Sequence, residues 1–179
     1  MKNKAWKHFK LITKHRWIVF KLSIKAGIPW RGFVHDLSKY SIIEFFEGAK
    51  YYIGTRSPIT VAREERQFSK AWLHHKGHNK HHEEYWYDWN APIKAPVIPY
   101  KYTVEMLCDC ISAGMVYKGD EWNREHPLKY WQEVKNKELF HPKMINFFES
   151  VYRQIKDEGI DKTITRENLK RKYERYCIK

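Results

Sequence analysis

Apolar residues recur at helical spacing from the start of the chain. Phe9, Ile12, Val19 and Leu22, with His15 among them, predict a helix over residues 4–26 that Gly27 and Pro29 end. The pattern then predicts a helix from about 30 to 53, broken by the GTRSP segment. Ser57 before Pro58 reads as an N-cap with proline at the first helical position. A third helix is expected over about 58–90, with Gly77 as a kink. Residues 91–99 (APIKAPVIP) carry three prolines and predict a loop or extended linker. A fourth helix covers about 100–118 and stops at Gly119. Further helices are expected at about 127–137 and 142–158, and Thr165 would cap a last, strongly charged helix. No strand-like alternation of useful length occurs, and there is no GxGxxG or GxxxxGK[ST] loop. The expectation is an all-α chain: one domain over 1–179 with about six to seven helices. Its core would span about 5–158. A basic C-terminal helix over 165–179, with few apolar anchors, would pack peripherally and be dispensable for metal binding.

Composition agrees with a globular domain, since the 179 residues are 42% hydrophobic and 16% aromatic. No apolar run approaches the roughly 20 residues of a membrane span. The opening MKNKAWKHFK lacks the uninterrupted apolar stretch of a signal peptide. A cytoplasmic location and no membrane partner are therefore expected. Cys108, Cys110 and Cys177 show no CxxC spacing, so neither a disulfide framework nor a cysteine zinc site is indicated. A net charge of +13 favours anionic partners, whether nucleic acid, a membrane surface or phosphorylated small molecules.

The candidate chemistry begins with histidine. Of ten histidines, five fall in LHHKGHNKHHEEYW: His74, His75, His78, His81 and His82. On a continuous helix, either His74, His78 and His81 or His75, Asn79 and His82 would share a face. Neutral imidazoles converging on one point are ligands for zinc, iron, nickel or copper. A solvated polar face is the plainer account of the same spacing. His35-Asp36 lies in GFVHDLSKYS between Phe33, Val34 and Leu37, where an unpartnered inward carboxylate would be costly. His15 sits on the apolar stripe of the first helix, a position that often holds an ordinary core histidine. Asp109 lies in the apolar run VEMLCDCISAGM, with Glu105 one turn earlier on the same face.

In order, His15, His35-Asp36, the histidine cluster and Asp109 resemble the HD-domain superfamily. That pattern is a His, an adjacent His-Asp, optional further histidines for a second metal, and a distant Asp. HDLSK is similar to the HDxxK form common in that superfamily. HHKGHNKHHEEYW more closely resembles a little-characterised family of small bacterial and phage proteins related to it. The likeness spans about residues 5–120. It implies a metal-dependent phosphohydrolase with one or two divalent ions, of Mn, Fe, Ni, Co or Zn type. Asp36 would contact or bridge them, and His35 and Asp109 would complete the first site with His15 beside it. His75 and His82 would hold a second ion, with His74 and His81 as the rival pair. Lys39 could bind a substrate phosphate and Glu105 could orient a ligand histidine. The substrate would be small, anionic and nucleotide-like, and Trp72, Tyr85, Trp86 and Trp89 could stack on a base, although core packing is the plainer role for most of them.

Two other readings remain at this point. A basic helical nucleic-acid-binding protein suits the LKRKYERY tail but leaves the histidines and inward acids without a role. A non-haem iron redox protein would use the same ligands.

Overall fold

The computed structural model describes residues 2–133 and 137–179. Among these residues the chain is all-helical, a single domain without strands. Among these residues eleven α-helices replace the expected six to seven, because one predicted long helix is broken into two and another into three, and a short helix at Ile160–Thr163 is added.

The first helix, α1 (Lys2–Lys25), runs as predicted. Gly27 ends it in a left-handed conformation at φ 76°, which places Ile28 N–H 2.9 Å from Ser23 O in a Schellman-type closure. Pro29 then opens α2 (Pro29–Val34), which folds back along α1. The two helices cross at Gly32, where a Cβ would lie 2.4 Å from Ser23 Cβ and 3.1 Å from the Phe20 Cα. Only glycine allows so close an approach.

The helix predicted over 30–53 stops at His35, whose ψ of 129° is extended. Asp36 follows with φ 53°, a left-handed conformation that Asp tolerates better than most residues. A 3₁₀ turn (Leu37–Tyr40) leads to Ser41, the N-cap of α3 (Ile42–Lys50). The expected 58–90 helix likewise divides. Ser57-Pro58 opens α4 (Pro58–Arg66) as predicted, although the Ser57 side chain makes no capping bond, and Gln67 closes it at φ 67°. Ser69 caps α5 (Lys70–His78) by accepting a 3.0 Å bond from Trp72 N–H. The turn through His82 leads to the short α6 (Glu83–Trp86). Gly77 lies inside α5 and makes no kink of a longer helix.

The proline-rich segment is non-helical, as predicted, and leads into α7 (Tyr100–Lys118), which Gly119 ends. The next helix, α8, spans His126–Glu133, and the residues between it and the turn at Lys137 lie outside the described part. The long α9 (Pro142–Glu158) carries Met144, Phe147, Phe148, Val151 and Ile155 on one fully buried stripe. It packs with α7 and α8 into the main core.

The C-terminal segment departs from expectation. After α10 (Ile160–Thr163), Thr165 caps α11 (Arg166–Tyr173) as predicted, accepting from Asn168 N–H at 3.3 Å. Leu169, Tyr173 and Cys177 then recur every four residues and are buried in the same core. Tyr173 donates a 2.7 Å hydrogen bond to Ile98 O in the proline-rich segment. The tail is charged on its outer face and anchored on its inner one, so the expected peripheral packing is corrected. All three cysteines are free. Among the described residues no helix is long and apolar enough to cross a membrane.

Candidate metal centre

α1, the α2–α3 connection, α5 with its following turn, and α7 bring one histidine or carboxylate each, or more, to a common centre. The break at His35-Asp36 matters most. On a continuous helix the two side chains would diverge by about 100°. With Asp36 left-handed, both turn inward, and His35 Nε2 lies 3.2 Å from Asp36 Oδ2. His35 and Asp36 are 0% and 1% exposed.

Two groups of potential ligands meet at Asp36. His15, His35, Asp36 and Asp109 form one, and Asp36, His75, His81 and His82 form the other, with one ligand atom per residue within 4.8 Å of the rest of its group. In the first, His15 Nε2 is 2.9 Å from Asp109 Oδ1 and 3.9 Å from Asp36 Oδ2. In the second, the other carboxylate oxygen, Asp36 Oδ1, is 3.3 Å from His75 Nε2 and 3.4 Å from His81 Nε2. Ligands bound at about 2.1 Å to one tetrahedral ion stand roughly 3.4 Å apart, so these spacings match a coordination shell. Asp36 Oδ1, both ring nitrogens of His81 and His82 Nε2 are buried without a hydrogen-bond partner, while Asp36 Oδ2 meets the Lys39 ammonium. Buried polar atoms seldom lack a partner, and a cation would supply one. Donor types, spacing and orphaned atoms all fit divalent metal.

An outer layer of carboxylates orients the histidines. Glu105, fully buried on α7, faces His35 Nδ1 at 3.2 Å and His81 Nδ1 at 3.4 Å. Arg31 clamps it with two bonds, from Nε to Oε2 at 2.7 Å and from Nη2 to Oε1 at 3.0 Å. Glu44 on α3 accepts from His75 Nδ1 at 2.7 Å. With Nδ1 of His35 and His75 engaged in this way, their Nε2 atoms are turned toward the centre, while His81 Nδ1 lies near Glu105 without a hydrogen bond to it.

Charge follows from this packing. Burial works against an ionised Asp36, but His35, Lys39 and His75 outweigh it and hold its carboxyl well below the usual range. The same contest at Asp109 is decided by His15 and His35, and its carboxyl is also held well below that range. Glu105, likewise opposed by burial, is held down to about 2 by His35, His81 and Arg31. Burial disfavours charge on His35, yet Asp36, Asp109 and Glu105 raise it well above its ordinary value. Four buried or half-buried carboxylates demand positive charge nearby. Histidine protons and Lys39, 2.5 Å from Asp36 Oδ2, provide it, and a divalent cation would supply it in their place.

Every sequence-predicted site residue except His74 reaches this centre or its immediate shell. His74 instead bonds Glu44 Oε1 at 2.7 Å and stacks on His78, outside both ligand groups. The two stripes drawn on a continuous helix do not form, because His81 and His82 lie on the turn after α5, so His75, His81 and His82 meet together. Arg31 and Glu44 were not among the predicted residues. Glu44 carried a signal, as the acid of an SIIE capping pattern inside the apolar run IIEFF.

A cleft of about 610 Å³ opens over the centre, reaching His15, His75, His82 and Asp109. Lys39 and Arg63 line it, with the Arg63 guanidinium 4.9 Å from the Trp72 ring. Of the four aromatics near the histidines, only Trp72 lines this cleft.

Fold and site define a small all-helical protein with a buried histidine–carboxylate centre. The chain belongs to a family described as Family of unknown function (DUF5662), whose model matches residues 4–154. No curated protein and no solved structure shows significant similarity to the chain.

Proposed function

We propose that the chain is a metal-dependent phosphohydrolase of HD type, acting on a small phosphorylated, nucleotide-like substrate. The observation that carries this reading is Asp36, whose two oxygens face two separate sets of histidines. His15, His35 and Asp109 would hold one ion with Asp36, and His75, His81 and His82 a second. Bound divalent metal supplies Lewis acidity and lowers the pKa of water, yielding a hydroxide nucleophile near neutral pH.

The remaining roles fall to the chain's own groups. Lys39 and Arg63 in the cleft would bind and orient phosphate oxygens, Arg63 held by its stack on Trp72. Glu105 and Glu44 would fix the imidazoles. The strong positive charge would attract an anionic substrate.

Phosphate release from a panel of nucleotides tests the reading, with manganese, cobalt, nickel or magnesium added, for wild type and Asp36→Ala. Turnover in wild type and nearly none in Asp36→Ala is expected. A nucleic-acid binder would turn over nothing in either protein, and its salt-sensitive affinity would barely respond to Asp36→Ala. No release across the panel would remove the hydrolase reading.

A further inference from the structure

The outer surface of α1 is divided by helical periodicity into two stripes. Trp6, Phe9, Trp17, Phe20 and Ile24 recur at spacings that keep them on one side, away from the buried face of His8, Ile12, His15 and Val19. Trp6 is 58% and Trp17 57% exposed. Ring contacts carry this apolar stripe onto α2. Phe20 meets Phe33 at 6.3 Å, and Phe33 stacks on Trp30 at 5.7 Å, leaving Trp30 69% exposed.

Beside the apolar stripe runs a cationic one of Lys7, Lys10, Lys14 and Lys21, all exposed. Lys10 lies 5.7 Å from the Trp6 ring and Lys21 5.8 Å from the Trp17 ring, so the two stripes touch. None of these four lysines joins an ion pair among the described residues, whereas Lys25 at the helix end pairs with Asp161. Through Phe46 the only acids are Asp36 and Glu44, and both are buried. Within residues 2–46 this surface therefore presents aromatic rings and ammonium groups without an exposed carboxylate of its own.

We propose that the α1–α2 face docks peripherally on an anionic lipid surface. Trp and Phe would enter the headgroup boundary, and the flanking lysines would meet lipid phosphates and extend their stems along the apolar edge. A helix lying in the boundary needs no membrane span, so the absence of a span, from which no membrane partner was expected, does not bear on it. A second copy fits less well, because a two-fold contact would set this lysine stripe against itself. Single-stranded nucleic acid fits less well too. Base stacking needs ring faces, and Ile24 within the stripe offers none, whereas insertion at a lipid boundary uses aliphatic and aromatic side chains alike.

Sedimentation of the full chain with vesicles tests the proposal, using phosphatidylcholine alone against an equal mixture with phosphatidylglycerol. Binding to the anionic vesicles only, weakened by salt and accompanied by a blue shift of tryptophan fluorescence, is expected. Lys10→Glu/Lys14→Glu/Lys21→Glu should weaken it roughly tenfold or more. Trp17→Ser/Trp30→Ser should weaken it and reduce the blue shift, with helical content unchanged in both variants because these side chains are exposed. Four outcomes would overturn the proposal: no vesicle binding, binding that both variants leave intact, binding to a single-stranded oligonucleotide without vesicle binding, or a concentration-dependent dimer that Trp17→Ser/Trp30→Ser abolishes.

Discussion

His35 and His81 point their Nδ1 atoms at the same oxygen, Glu105 Oε1, from 3.2 and 3.4 Å. One comes from the end of α2 and the other from the turn after α5, so a single carboxylate faces two imidazoles that belong to different ligand groups, bonded to His35 and close to His81 without a hydrogen bond. Glu105 is in turn held by Arg31. Glu105→Gln keeps the shape but weakens both contacts. Metal affinity, measured by calorimetric titration with zinc or manganese, is expected to fall about tenfold to a hundredfold. Unchanged affinity would show that Glu105 does not orient the ligands.

Close packing at Gly32 should control the position of His35. A Cβ there meets Ser23 Cβ at 2.4 Å, so Gly32→Ala must push α2 away from α1. A loss of about 1–3 kcal/mol in urea denaturation is expected, together with weaker metal binding. Ser23→Gly in the same chain should recover part of both losses, since it removes the opposing carbon.

His8 gives a pH dependence whose sign is fixed. Burial, helped by Lys39, lowers its pKa from 6.5 to about 4. Between those values the unfolded chain binds a proton that the folded chain refuses, so stability falls as pH drops from 6.5 toward 4. The effect between pH 7 and pH 5 is about 2 kcal/mol. Denaturation midpoints at both values should converge by roughly that much in His8→Gln. An equal pH dependence in the variant would assign the acid sensitivity elsewhere.

The C-terminal tail is expected to be structural. Leu169 is fully buried in the main core, and Leu169→Ala should cost about 2–5 kcal/mol in urea denaturation. Removal of residues 165–179 should abolish cooperative unfolding. A truncated chain that melts like the full one would restore the view of the tail as peripheral.

The uneven legibility of this fold has physical causes. α1, α7 and α9 are long, keep one periodicity, and have glycine or proline at their ends, so their limits could be read directly. The segments 30–53 and 58–90 also keep helical periodicity. They are broken by left-handed residues, Asp36 and Gln67, and by the extended Asn79, with no glycine or proline to mark the breaks. The break at Asp36 is itself part of the site, since it turns His35 and Asp36 the same way. At the centre, residue type was informative because histidines and acids inside apolar runs need partners. Spacing was not, because His81 and His82 lie beyond the end of α5. The tail misled because Leu169, Tyr173 and Cys177 are sparse among its charges, yet four-residue spacing is enough to bury one face.

The central claim is that Asp36 joins two metal-binding groups, and metal content tests it most directly. Untagged protein, loaded with manganese, iron, nickel, cobalt or zinc and then desalted, should retain about one to two equivalents by elemental analysis. Asp36→Ala, still folded by circular dichroism, should lose most of it, because that carboxylate belongs to both groups. Wild-type protein that retains no metal, or an Asp36→Ala chain that retains as much as wild type, would contradict the claim.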